Sequence, residues 1–79
     1  MDKMIIEVVR IAAHDGVESH RLSIPKGMDP SEKFSEVVKA TRAIGWDSEK
    51  SECRSAEFRI CDGRGWFEEL TLTLKMERE

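Results

Sequence analysis

Tyrosine is absent from this 79-residue chain, and only three Phe and two Trp make up its aromatic content. Few aromatics are therefore available to stack nucleic-acid bases on an open sheet face. Cysteine is scarce: Cys53 and Cys61 can close one bridge at most, which is no disulfide framework, and they read as free thiols of a cytoplasmic protein. No run approaches 18 consecutive apolar residues, so no transmembrane span is expected. The apolar N-terminal stretch carries Asp2, Lys3, Glu7 and Arg10, which interrupt any signal-peptide core. No basic tract or Lys/Arg stripe is present, and the net charge is −3. Sequence-independent binding to a nucleic-acid backbone is disfavoured on that balance.

What is present is patterned. The chain is 39% hydrophobic and 37% charged, and the apolar residues recur at regular intervals rather than at random. Its length predicts a single small domain over residues 1–79 with a thin core and a stability of roughly 3–5 kcal/mol. Residues 29–46, DPSEKFSEVVKATRAIGW, carry the clearest local signal. Asp29 suits an N-cap, Pro30 suits the first helical position, and Glu32 favours the positive end of the helix dipole. Phe34, Val37, Val38, Thr41 and Ile44 fall on one stripe, and Gly45 suits the left-handed residue that ends a helix.

The flanks read as strands. Residues 55–61 alternate with Ala56, Phe58 and Ile60 in one phase, and residues 69–76 with Leu70, Leu72, Leu74 and Met76 in one phase. Asp62-Gly63 between them is a hairpin signal, because a tight turn needs positive φ. Residues 4–13 match both strand and helix spacing, but β-branched side chains fill five of positions 5–11 and favour the strand. Asp15-Gly16 marks a second turn, and residues 19–24 alternate with His20, Leu22 and Ile24 in phase. Residues 46–54 are polar and read as a connection.

The expected fold is α+β in the order ββαββ: a four-stranded, largely antiparallel sheet with one helix packed on one face. One strand order consistent with this pattern resembles a ubiquitin-like β-grasp. The face away from the helix would carry Arg21, Ser23, Glu57, Arg59, Thr71, Thr73 and Lys75.

Catalytic and metal signatures do not assemble. Gly63 and Gly65 are followed by no Lys-Ser/Thr and by a strand rather than a helix, unlike a phosphate-binding loop. His14, His20, Cys53 and Cys61 lack the paired spacing of a zinc site. Cys61 adjoins Asp62 and Cys53 adjoins Glu52, neighbours that do not favour a thiolate. No cofactor, metal or catalytic residue is expected. Phe58 belongs to the helix-covered face, which leaves no aromatic platform for RNA.

Protein binding is the remaining class. Arg64, Trp66 and Phe67 lie together at the tip of the second hairpin, with Glu68 and Glu69 beside them, and Trp and Arg are frequent interface anchors. Alternation places Trp66 in the inward phase of Leu70 and Phe67 outward. It also places Glu68 inward, which a β-bulge near the turn would relieve. Two further routes are pairing of an edge strand with a partner or a second copy, and an acidic surface built from Glu49, Glu52, Glu68, Glu69, Glu77 and Glu79. In size, mild acidity and lack of catalytic motif the chain is similar to small inhibitors encoded by phages and mobile elements, anti-CRISPR proteins among them. That likeness implies a protein that blocks a functional surface of a larger complex. A ubiquitin-like accessory subunit and a weak nucleic-acid-binding sheet domain are the alternatives.

Overall fold

A computed structural model describes residues 2–12, 16–61 and 67–78. Its elements are β1 (Asp2–Ala12), β2 (Gly16–Ser23), α1 (Pro30–Ala43), β3 (Asp47–Ser51), β4 (Ser55–Cys61) and β5 (Phe67–Arg78). The five strands form one sheet in the order β2-β1-β5-β4-β3, with every neighbouring pair antiparallel. The fold is α+β, as the patterning predicts, but the sheet has five strands rather than four.

The additional strand is β3, in the stretch expected to be a connection. All five of its residues, DSEKS, are exposed, so no apolar period marks it. It is held by backbone pairing to β4 alone, with a register shift between Ser48 and Lys50. An edge strand with neither face packed on the core needs no hydrophobic residues, and hydrophobic alternation cannot reveal it.

That strand also decides the strand directions. Through the pairings, β2, β3 and β5 run one way and β1 and β4 the other. With two hairpins alone, the last strand would return parallel to β1, the central arrangement of a β-grasp. One more reversal after α1 turns β5 antiparallel to β1, so the β-grasp order does not form. The connection through α1 carries the chain from β2 at one edge to β3 at the other.

Helix α1 begins as its sequence dictates. Asp29 is extended (φ −66°, ψ 124°), and its carboxylate accepts from the Ser31 N–H at 2.9 Å. At the other end the Gly45 N–H bonds the Arg42 carbonyl at 3.1 Å and the Trp46 N–H bonds the Thr41 carbonyl at 3.4 Å. Gly45 sits at φ +107° between them. These paired bonds satisfy carbonyls that the last helical turn leaves free, and the positive φ makes glycine the natural residue there.

The core lies between α1 and one face of the sheet. Phe34 and Val38 from the helix pack on Ile6, Ala56, Phe58, Leu70, Leu72 and Leu74, with Met4, Val8, Ile24, Val37 and Trp46 around the rim. Thr41 is buried and donates its hydroxyl to the Val37 carbonyl at 2.8 Å, so its polar atom is satisfied. Ile44 departs from the expected stripe and is 76% exposed. Ten residues beyond Phe34, at about 100° per residue, it has rotated roughly 80° off the buried line, and it serves as the C-cap with non-helical backbone.

Ile5 is buried on the opposite face, at 2% exposure. It sits between Lys3 and Glu7 in the same phase of β1, beside Ser23 and Lys75. Arg21 of β2 pairs with Glu77 of β5 at 3.1 Å, spanning β1 across this position, and Lys75 reaches Glu7 at 2.7 Å. The aliphatic stems of these ion pairs shelter the isoleucine.

Phe58 is 1% exposed at the centre of the core. Phe58→Ala is expected to cost about 3–5 kcal/mol, as much as a domain of this size holds, so the variant should lose its cooperative urea transition. Asp29→Ala should lower stability by about 1 kcal/mol. Ile44→Ala should stay within about 0.5 kcal/mol of the wild type in the same titration.

Candidate functional site

Length mismatch creates the site. Strands β1 and β5 pair without a break from Asp2↔Arg78 to Ala12↔Glu68, about 35 Å at ~3.3 Å per residue. The 14 residues of α1 span only about 21 Å. The core accordingly seats the helix over residues 4–8 of β1, 56–58 of β4 and 70–74 of β5. Beyond it, residues 9–12, 16–19, 60–61 and 67–69 continue as a single layer. The register Ala12↔Gly16, Ala12↔Glu68 and Cys61↔Phe67 brings the last residues of β1 and β4 and the first residues of β2 and β5 to this same end.

On the helix side of this layer, alternation continues but the residues change character. Arg10 follows Ile6 and Val8 in phase, and Glu68 precedes Leu70 and Leu72 in phase. The two bond directly, Arg10 Nη2 donating to Glu68 Oε1. The Glu68 side chain is 14% exposed. Arg10 also reaches Glu18 of β2 at 3.5 Å, and Glu18 lies 3.7 Å from His20 Nε2. The hydrogen bond and charge of Glu68, with a smaller contribution from Glu18, raise the Arg10 pKa above its ordinary value against the opposing effect of desolvation. This guanidinium is a permanent positive charge between two carboxylates.

Among the described residues no bulge turns Glu68 outward. β4 and β5 stay in register from Ser55↔Thr73 to Cys61↔Phe67, so Glu68 does face inward. Its relief comes from Arg10 instead. The signal was in the sequence: two charged residues occupy the inward phase of two apolar strands. Only their adjacency in the sheet makes them a pair.

The opposite face of the layer is mixed. Ile11 and Val17 face each other across β1 and β2, and both are exposed, Val17 at 67%. Arg59 holds Glu69 at 2.9 Å and Glu49 at 3.2 Å. The residues expected on this face, including Arg21, Glu57, Arg59, Thr71, Thr73 and Lys75, share it by register. Among the described residues Arg21, Arg59 and Lys75 of this face are each paired with a carboxylate, an arrangement unlike the cationic track that follows a phosphate backbone.

Of the partner-binding residues expected from sequence, Arg64 and Trp66 lie outside the described residues. Phe67 opens β5, its backbone paired with Cys61. Glu68 and Glu69 fall on opposite faces, each neutralised by an arginine. Glu77 is paired with Arg21, Glu49 with Arg59, and Glu52 with Lys50 at 3.4 Å. The six-glutamate acidic surface is thus dispersed over both faces and largely compensated; Glu79 lies outside the described residues.

Of the four residues weighed as metal ligands, His14 lies outside the described residues. His20 is on β2 and Cys53 is in the β3–β4 connection, at opposite edges of the sheet. Four intervening strand spacings put those edges about 19 Å apart. Among the described residues no group of three His, Cys, Asp or Glu is placed to hold an ion. His20 is exposed on the edge strand.

One groove was not apparent from sequence. It runs between α1 and the β3–β4 connection, about 480 Å³ in volume, floored by Phe34 and Val38 and rimmed by Lys39, Arg42, Glu52 and Cys53. Arg42 crosses from the helix to Ser48 at 3.3 Å beside it. The groove is open to solvent and can accept a small apolar group, but it gathers no pair of groups poised for proton transfer. Among the described residues no helix is long and apolar enough to cross a membrane.

The Arg10–Glu68 pair makes a distinctive prediction. Glu68→Leu removes the nearer of the two carboxylates that hold Arg10 and should lower the urea midpoint. The double variant Arg10→Leu/Glu68→Leu should recover most of that loss, because removing both members of a partly buried pair costs less than removing one. Compared with known protein families, curated proteins and solved structures, the chain matches none.

Proposed function

We propose that this protein is a small non-catalytic binding module that engages a larger protein through the single-layered end of its sheet. The observation that carries the reading is the overhang: strands about 35 Å long under a helix of about 21 Å. The cluster that packs on the helix does not extend to this layer, and Ile11 and Val17 stand exposed on it. Arg10, Glu68 and Glu18 stiffen the other side by cross-strand pairing. A tongue with apolar residues on one face suits insertion into a cleft or coverage of a partner's flat surface.

The sequence between β4 and β5, DGRGW, supplies Arg64 and Trp66, with Phe67 following. Together these favour an inhibitor of the kind that occludes a functional surface on a host complex, in the manner of phage-borne anti-CRISPR proteins. The antiparallel β1–β5 centre speaks against a ubiquitin-like accessory subunit. The compensated open face gives a nucleic-acid-binding sheet little to work with.

Affinity capture from cells of the source organism, followed by mass spectrometry, tests the reading. The wild-type chain should retain a defined larger protein. Ile11→Glu and Trp66→Ala should each reduce its recovery at least tenfold, while Ile44→Glu, on the exposed helix end, should not. Retention of the same protein by both tongue variants would remove this end from the interface.

A further inference from the structure

The two edges of the sheet are protected very differently. At one edge, β3 is five residues long, breaks register between Ser48 and Lys50, and carries Glu49 and Lys50, both engaged in ion pairs. Short length, irregularity and charge are the usual means of preventing another strand from adding. At the other edge, β2 has eight residues, pairs with β1 without a break from Gly16 to Ser23, and contains no proline or lysine. All eight residues are exposed. A regular, uncovered edge of this kind presents unpaired backbone donors and acceptors along its length.

We propose that two copies of this chain associate antiparallel through β2, forming a continuous ten-stranded sheet with Ser19 on the two-fold axis. Symmetry and charge select the register. Two identical antiparallel strands in one sheet are related by an axis perpendicular to it, so facing residues belong to the same side and their numbers sum to an even value. Centring on Glu18 or Arg21 sets like charges directly opposite each other. Centring on His20 sets imidazole against imidazole and Glu18 against Leu22. Centring on Ser19 places Glu18 opposite His20 of the second copy, twice by symmetry, and sets no like charges opposite each other. An imidazole N–H can donate to the carboxylate in this arrangement.

The arrangement places both helices on the same face and directs the two tongues to opposite ends, so it is compatible with the binding reading but does not rest on it. A strand of this length covers less than the ~800 Å² per partner of a standard interface, so the association is expected to be concentration-dependent.

Sedimentation velocity over the micromolar to millimolar range should show a monomer–dimer equilibrium. Glu18→Lys and His20→Glu should each weaken it by about tenfold, and the double variant Glu18→Lys/His20→Glu should restore it. Independently of these charges, Ser19→Cys in a Cys53→Ser/Cys61→Ser background should cross-link two copies under mild oxidation, while Ser23→Cys in the same background should not. A chain that stays monomeric throughout with no Ser19→Cys cross-link overturns the proposal. So does a dimer that the charge variants leave unchanged and that Ser19→Cys does not trap.

Discussion

The seal between α1 and half of the sheet is the contact on which the other features depend. Phe34 and Val38 close over Phe58, Leu72 and Ile6, and no second layer is available to share the task. In a chain of 79 residues this is nearly all the apolar burial that can offset conformational entropy. The helix ends are accordingly well made. A side-chain cap at Asp29 and a glycine-centred stop at Gly45 hold the rod at a fixed length.

That fixed length divides the molecule. Where the helix covers the strands, alternation separates apolar from polar in the ordinary way. Where it does not, the inward phase must be filled with something that tolerates water, and Arg10 with Glu68 fills it. The same requirement operates beneath the opposite face, where Ile5 is sheltered by salt-bridged side chains rather than by a second layer. In both places long charged residues act as covering material as well as charges, and so an acidic composition produces little free negative surface.

The polar strand β3 has consequences beyond its size. It gives the chain an odd number of strands, reverses the last two, and makes the centre of the sheet antiparallel. It also guards one edge with a register shift and charge, leaving the regular β2 edge as the place where another strand can add. Fold, candidate interface and assembly thus trace to one helix of limited length and one strand without hydrophobic residues.

Much of this was determined by sequence alone. The cap, stripe and stop of α1 are local, and their physics is complete within a few residues. β4 and β5 follow from alternation, and the covered face holds the predicted Phe58, Leu70, Leu72 and Leu74, whereas β2 is exposed along its whole length and Asp15 and Asp62-Gly63 of the two turn signals lie outside the described residues. Tertiary structure alone decided the rest. β3 exists because β4 offers it hydrogen bonds, and backbone bonds leave no mark in side-chain pattern. Ile44 left the stripe because the helix ended beneath it. Arg10 met Glu68 because β1 and β5, at opposite ends of the chain, became neighbours. Local chemistry specifies elements, whereas adjacency between distant elements is settled by which surfaces remain to be covered once the first pair has packed.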